Sequence, residues 1–290
     1  MRALRVIGFF LLGVFVVMAA AAVIGHMRFA QRRDKKHNPP SFVVKTADDP
    51  ETLARGEHIA RTIGGCAECH GADFGGQMLE QDPMFVMAPP NITAGKGSVV
   101  RDYHGDDWLR AIAYGVHRDG RSLIAMPSEE LGKISDEDLS AVVSYLSQVP
   151  PVDREVTPTR LTALGSVVLG LMGAPIFAAE VAANRKAPET TPEPGETRAY
   201  GKYLIAVCHG CHGPALEGGI ATHPGAPISA DISPSAMAAW TFDELEAALR
   251  QGKRKSGGVM NPNEMPWGMT KQLTASEMRA VWLALRNEGG

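Results

Sequence analysis

The stretch CAECH at residues 66–70 returns as CHGCH at residues 208–212, and the rest of the chain is organised around these two copies. Each copy has two cysteines separated by two residues, followed directly by a histidine. This spacing lets two thiols add to the vinyl groups of a haem while the imidazole binds the iron from one face. All four cysteines of the chain lie in these copies, so the count predicts two covalently attached haem c groups. The predicted attachment residues and iron ligands are Cys66, Cys69 and His70, then Cys208, Cys211 and His212.

Two other chemistries use cysteine pairs with this spacing. A single zinc ion held by both pairs is disfavoured, because the copies lie far apart and each has its own complete flanking sequence. A thioredoxin-like redox pair needs one copy beside a strand–helix pattern, and no such strand pattern is visible. Haem attachment accounts for the histidines as well as the cysteines.

The length of 290 residues suits two domains of about one hundred residues each, one for each copy. Domains of that size have small cores, and covalently held haem would supply apolar interior in a chain with only 6% aromatic residues. The formal net charge of -3 gives no reason to expect a nucleic-acid partner.

Helical patterns surround each copy. A helix is predicted over residues 51–63, a second opens at Asp106, and a third is capped by Ser135 and ends before the prolines at 150–151. In the second half Thr274 caps the last helix, with a glutamate three residues later as in a capping box.

A methionine followed by proline is the predicted source of the second axial ligand in the first half. Pro127 stiffens the loop and keeps Met126 out of a helix, and the thioether of Met126 is a soft ligand for iron. The competing side chains either precede the helix around Trp108 or lie in a charged turn. They are Met78, Met84, Met87 and His117.

The second half repeats this register. Met265 again precedes a proline, and the next helix cap comes at the ninth residue after the methionine in both halves, at Ser135 after Met126 and at Thr274 after Met265. Such agreement is hard to obtain by chance, so we expect Met265 to be the second methionine ligand. The nearby competitors and expected bystanders are Met260, Met269, His209 and His223.

Two apolar segments lie outside the repeats. Residues 6–25 are uncharged and long enough to cross a bilayer as one helix, and signal peptides have shorter apolar regions. We therefore expect an uncleaved anchor at residues 1–27 and a basic, proline-containing tether at residues 28–50. Residues 161–179 are also uncharged, but a second crossing would separate the two cysteine motifs, so we expect a helix on the membrane surface, on the first domain or against a partner.

The order of helix, Cys-x-x-Cys-His-Gly, loop, helix, Met-Pro and capped last helix resembles the small class I c-type cytochromes. The double copy is similar to membrane-bound diheme cytochromes c, including electron-accepting subunits of periplasmic dehydrogenases. The resemblance implies an all-α fold with two tandem cytochrome c-like domains after an N-terminal transmembrane helix. We expect these domains at residues 51–151 and 196–290, joined by an apolar segment and a proline-rich linker at residues 152–195.

The resemblance also implies a location and a role. Haem of this type is attached outside the bacterial cytoplasmic membrane, whereas the basic residues after the apolar span favour a cytoplasmic C-terminal side. Giving the haem motifs precedence, we expect a single-pass inner-membrane protein with its haem domains in the periplasm. There it would relay single electrons between a periplasmic donor and a respiratory acceptor as part of a complex. With histidine and methionine on both irons, we expect an electron carrier with no small-molecule substrate and no enzyme activity of its own.

A diheme peroxidase or oxidase is the alternative function. It would keep an open or displaceable position on one iron, and Met265 would then not be a ligand. A structural haem subunit that binds a partner through residues 161–179 is compatible with the electron relay.

Overall fold

The computed structural model describes residues 2–40, 44–185, 188, 190–221 and 226–286. Within them helices joined by long loops dominate, and two stretches with the same order of main helices follow a long N-terminal helix. We refer to residues 50–151 as the first repeat and to residues 196–286 as the second repeat. His223, expected to be a bystander, lies outside the described residues.

The first repeat is built on three main helices. Its elements are α2 (Pro50–Arg61), α3 (Cys66–His70), β1 (Glu80–Gln81), β2 (Phe85–Met87), α4 (Gly105–Tyr114), α5 (Ser128–Leu131) and α6 (Asp136–Leu146). The side chain of Asp49 caps α2, and Ser135 caps α6 as predicted, accepting a hydrogen bond from the Asp138 N–H at 3.0 Å. The second helix begins after His104, slightly earlier than the predicted start at Asp106.

The second repeat has the same order of main helices. Its elements are α9 (Arg198–Leu204), a 3-10 turn (Ile205–Cys208), α10 (His209–His212), α11 (Pro234–Met237), α12 (Phe242–Gln251), α13 (Trp267–Thr270) and α14 (Ala275–Leu285). Thr274 caps α14, and the Glu277 carboxylate accepts a hydrogen bond from the Thr274 N–H at 2.8 Å, which completes the predicted capping box.

The first and last helices of each repeat cross at a glycine. A Cβ at Gly56 would lie 2.0 Å from the carbonyl oxygen of Ala141, and one at Gly201 would lie 1.9 Å from that of Ala280. Only glycine permits so close a crossing. The core continues from one repeat into the other through buried apolar side chains that include Ile59, Leu109, Leu139, Val142, Leu204, Met278 and Val281.

The N-terminal helix α1 (Arg2–Asp34) is longer than predicted, and part of the expected tether at residues 28–50 belongs to it. By length and composition α1 is a membrane span or a secretory signal sequence, and it is the one helix of that kind among the described residues. Its last turns are fixed rather than solvated, because Arg32 binds Glu180 at 2.6 Å and donates to the carbonyl of Ala174 at 2.7 Å. The start of the basic run therefore continues the helix, and Arg32 fastens it to the segment that follows the first repeat.

The apolar segment after the first repeat forms β3 (Arg160–Leu161), α7 (Ala163–Met172), α8 (Ala178–Val181) and a 3-10 turn (Ala182–Asn184). Helix α7 lies along the end of α1, and a Cβ at Gly170 would lie 2.0 Å from the carbonyl oxygen of Gly25. A Cβ at Gly165 at the start of α7 would lie 2.0 Å from the carbonyl oxygen of Met84, so of the predicted locations the structure shows the one on the first repeat, with α1 as a further neighbour. The all-α expectation missed a small antiparallel sheet in the order β1-β2-β3, in which Phe85 pairs with Leu161.

Candidate functional site

The two cysteine motifs form short helices that bury their histidines in the same way. His70 and His212 are 7% and 8% exposed, and each is followed by a glycine with a positive φ angle. The Nδ1 atom of His70 bonds to the carbonyl of Pro90 at 2.8 Å, and that of His212 bonds to the carbonyl of Ala230 at 2.8 Å. These bonds place the proton on Nδ1 and leave Nε2 with a free lone pair, as an iron ligand requires.

The loop after each histidine repeats an uncommon backbone conformation. Phe74 has a φ angle of 58° and Leu216 one of 61°, both in the left-handed region. The N–H of Phe74 bonds to the carbonyl of Gly71 at 2.9 Å, and that of Leu216 bonds to the carbonyl of Gly213 at 3.0 Å. The match extends the sequence repeat to three dimensions and shows that both motifs are held by the same local geometry.

The four cysteines form no disulfide with one another; Cys66 is buried, and Cys69, Cys208 and Cys211 are half-buried. Burial raises the pKa of Cys66 to about 12 and that of Cys208 to about 12. A redox-active or nucleophilic thiol needs the opposite shift. Among the described residues there is also no group of three or more histidine, cysteine, aspartate or glutamate side chains that could hold a metal ion, which disfavours the zinc alternative.

A large apolar cavity opens beside the second motif. It has a volume of about 730 Å³ and is lined by Cys208, Cys211, His212 and Met265, together with Ile63 from the first repeat. Cavities of this size hold cofactor-sized ligands. The thiols, the histidine with its fixed tautomer and the apolar walls fit a covalently attached haem, and a side chain of the first repeat helps to enclose it.

The two methionines predicted as ligands lie in matching turns. Pro127 has φ and ψ angles of -79° and 51°, and Pro266 has angles of -78° and 63°. The carbonyl of Met126 accepts a bond from the Ser128 N–H at 2.8 Å, and that of Met265 accepts one from the Trp267 N–H at 2.7 Å. The turn that follows each methionine therefore has the same backbone conformation in both repeats.

Met260 and Met269 also line the cavity, but their backbone positions do not match that of Met126. The N–H of Met260 bonds to the carbonyl of Gly252 at 2.7 Å, just as Leu123 bonds to Gly115 at 2.7 Å in the first repeat. Met260 therefore occupies the position that Leu123 holds in the first repeat, and not the position of Met126.

Met269 lies at the boundary between the repeats. Its sulfur is 3.6 Å from the position of a Cβ on Gly65, next to the first cysteine motif. Among the candidates in the first repeat, Met78 is 47% exposed, and His117 lies in an exposed turn beside Asp119.

Basic residues near the second motif were not singled out from the sequence. Lys253 and Arg254 line the cavity together with Lys255, which binds Glu244 at 2.8 Å. In the equivalent place of the first repeat, Arg118 binds Asp107 at 3.4 Å. The sequence signal that could have found these residues is their shared position, because Arg118 and Lys255 each lie three residues after the glycine that ends the preceding helix.

A polar cluster joins the two repeats where their first and last helices meet. Its members, here called the interface cluster, are Arg55, His58, Asp138, Tyr200, Tyr203 and Glu277. Asp138 accepts bonds from Arg55 of its own repeat at 2.7 and 2.8 Å and from the Tyr203 hydroxyl of the other at 2.6 Å. Glu277 pairs with its own Tyr200 at 3.1 Å and with His58 of the other repeat at 2.8 Å.

The interface cluster has the exchange of equivalent contacts that a two-fold axis produces. Arg55 and Tyr200 precede the crossing glycines of α2 and α9, and they bond to each other at 3.0 Å. Outside the cluster, Lys133 donates to the carbonyl of Ala206 at 3.4 Å, and Gln272 donates to the carbonyl of Arg61 at 3.1 Å. This arrangement brings both cysteine motifs to the same boundary.

Comparison with known families identifies part of the chain. Residues 51–146, which carry the first motif and end with α6, match the family model for cytochrome C oxidase, cbb3-type, subunit III. The chain contains a cytochrome c domain. Proteins of this family bind haem c covalently, which agrees with the geometry around Cys66, Cys69 and His70.

Curated relatives cover more of the chain. The gluconate 2-dehydrogenase cytochrome c subunit of Pantoea cypripedii is 29% identical over 80% of this chain and 52% of its own length. The fructose dehydrogenase cytochrome subunit of Gluconobacter japonicus is 26% identical over 73% of this chain and 47% of its own length. The alcohol dehydrogenase (quinone) cytochrome c subunit of Gluconobacter oxydans is 26% identical over 73% of this chain and 50% of its own length.

The present chain spans about half the length of these relatives. All three relatives are named as cytochrome subunits of dehydrogenases.

Proposed function

We propose that this protein is a membrane-anchored diheme cytochrome c that relays single electrons. The observation that carries the proposal is the repeated site. The second motif has the same histidine tautomer, the same left-handed loop residue and the same methionine turn as the cytochrome c domain defined by residues 51–146. Cys66, Cys69, His70 and Met126 would hold one haem, and Cys208, Cys211, His212 and Met265 would hold the other.

When bound, each haem supplies an iron that takes up and releases one electron. The protein's residues fix the conditions for that exchange. The carbonyls of Pro90 and Ala230 orient the two histidines, and Met126 and Met265 would each supply a thioether to a bound haem, which would favour a high reduction potential. With a buried histidine and a methionine to hold each iron, the residues would support electron transfer without binding substrate.

Helix α1 supports the membrane part of the proposal. Its apolar part is long enough to cross a bilayer, and its C-terminal turns are fastened by Arg32 and by the contact with α7 to the segment that follows the first repeat. We propose a single-pass anchor in the bacterial cytoplasmic membrane with both repeats on the periplasmic side. The names of the relatives support a donor that is a periplasmic dehydrogenase in complex with this chain, and the acceptor would belong to the respiratory chain.

Carbon monoxide binding to the reduced, native protein at neutral pH tests the proposal against a diheme peroxidase or oxidase. The relay predicts no rapid binding, because methionine occupies the position opposite each histidine. Rapid binding at one haem of the wild-type protein would show an open coordination site and favour the enzyme. Met265→Leu serves as the positive control, since it opens that position and should bind carbon monoxide.

A further inference from the structure

The two repeats carry different charges at a matched position of their boundary. Glu130 and Met269 each lie four residues after the methionine of their Met-Pro pair. Each side chain lies against the cysteine motif of the other repeat, Glu130 at Gly210 and Met269 at Gly65. Equivalent positions of the two repeats therefore hold a carboxylate, at Glu130, and a neutral thioether, at Met269.

Glu130 reaches the backbone between the two cysteines of the second motif. A Cβ at Gly210 would lie 2.9 Å from the carboxyl carbon and 3.0 Å from an oxygen of Glu130, so the glycine leaves room for this carboxylate. The Glu130 side chain is only 17% exposed. The carboxylate therefore lies beside the backbone of the second motif in a part-buried place, where solvent and salt screen its charge less than at the surface.

A lysine accompanies the carboxylate on the same side. Lys133 forms an ion pair with Glu130 and bonds to the carbonyl of Ala206 just before the second motif. The equivalent residue in the second repeat is the neutral Gln272, which bonds to the carbonyl of Arg61 before the first motif. The ion pair thus places charged side chains on one side of the interface where the other side has neutral ones.

The first motif carries a carboxylate of its own. Glu68 lies within that motif and contacts Gly268 of the second repeat. Glu68 is exposed, and solvent and salt screen exposed charges more strongly than part-buried ones. Its effect on the first motif is therefore weaker than that of Glu130 on the second.

We propose that Glu130 and Lys133 of the first repeat set the reduction potential of the haem held by the second motif, acting across the boundary between the repeats. The proposal rests on the proposed function, in which the second motif carries a haem. A carboxylate stabilises the ferric state, which has one more positive charge than the ferrous state, and so lowers the potential. An ammonium group has the opposite effect. Glu130 and Lys133 would act through their charges and are not among the residues proposed to hold the haem.

Spectroscopic redox titration of the full, haem-loaded chain tests this proposal with three single variants. Glu130→Gln should raise the midpoint potential of the second haem, with about a fivefold change in its ferrous-to-ferric ratio at a fixed potential. Lys133→Gln should lower the same midpoint. Glu129→Gln, an exposed neighbour on the same short helix, should leave both midpoints unchanged. The two haems are distinguished with Met126→His, which moves only the midpoint of the first haem.

Opposite shifts for Glu130→Gln and Lys133→Gln, confined to the second haem, would support the proposal, because loosened packing moves both midpoints in one direction. Unchanged midpoints, or shifts of the same sign in both variants, would overturn it while leaving the diheme proposal intact. A wild-type titration with one redox centre would instead overturn the proposed function.

Discussion

Asp138 and Glu277 hold equivalent places in the two repeats, and each carboxylate accepts hydrogen bonds from both repeats. Each is the third residue of its last helix, and they are only 2% and 5% exposed. Buried carboxylates are stable only when they are paired and hydrogen-bonded. Because each acid depends on donors from the opposite repeat, the two repeats are expected to unfold together.

Removing one of these charges should destabilise the whole unit. Asp138→Asn is expected to lower the free energy of unfolding by about 3 kcal/mol, because the guanidinium of Arg55 loses its partner in a part-buried place. Urea unfolding of the haem-loaded protein, followed by circular dichroism, measures the change. Asp102→Asn, at an exposed aspartate, is the matched control and should cost less than about 0.5 kcal/mol. Equal costs for the two variants would contradict the structural role of the interface cluster.

The interface cluster also predicts a pH dependence. Burial alone would raise the pKa of Glu277, but hydrogen bonds from His58 and from the Thr274 N–H outweigh it and lower the pKa to about 2. A carboxyl group with a depressed pKa stabilises the fold above its unfolded pKa and loses this effect as pH falls towards the folded value. Stability should therefore decline between about pH 5 and pH 2.

Glu277→Gln tests the origin of that decline. The variant should be less stable than the wild type at pH 7, and the slope of its unfolding free energy between about pH 5 and pH 2 should be shallower. Asp138 and the other carboxylates remain, so part of the slope persists. An unchanged slope would show that Glu277 is not the group responsible.

The attachment of α1 rests on Arg32 rather than on the basic run as a whole. Arg32 binds Glu180 and Ala174 and lies over the ring of Phe177, whereas Arg33 pairs only with its neighbour Asp34 among the contacts described. Arg32→Gln should speed amide hydrogen exchange in α7 and in the last turns of α1. Arg33→Gln should leave exchange close to wild type. Equal effects would mean that the helix is held by apolar contacts alone.

The methionine assignment gives a direct spectroscopic prediction. Met265→Leu should abolish the methionine–iron absorption band of the second haem and lower its potential, since a thioether ligand favours the reduced iron. Met260→Leu and Met269→Leu are matched controls within the same loop and should retain the band. If Met269→Leu lost it while Met265→Leu retained it, the register between the repeats would be the wrong guide to the ligand.

The elements nearest the cysteine motifs were predictable from sequence because their signals are local. Caps at Ser135 and Thr274 depend on residues a few positions apart, and the structure shows both. The acid three residues after Ser135 does not bond back to the N–H of the cap as it would in a capping box. Asp138 turns to Arg55 and Tyr203, and the hydroxyl of Tyr203 accepts the Ser135 N–H at 3.2 Å instead.

The interface cluster itself was not predictable, because each of its residues looks like an ordinary polar residue on a helix surface. Arg55 and Tyr200 meet only after the two repeats have packed, and no local spacing encodes that contact. The extension of α1 was missed for the same reason. A basic run such as the one ending at Arg33 resembles a solvated tether until a distant carboxylate, Glu180, is placed beside it.

The number of haems fixed to each chain tests the central claim most directly. The purified protein should contain two iron atoms per chain, and its colour should stay with the polypeptide through acid-acetone extraction and denaturing electrophoresis. Alanine at Cys66 and Cys69 together, or at Cys208 and Cys211 together, should each remove one haem and leave the other. Release of the pigment on extraction, or fewer than two iron atoms per wild-type chain, would contradict the diheme account.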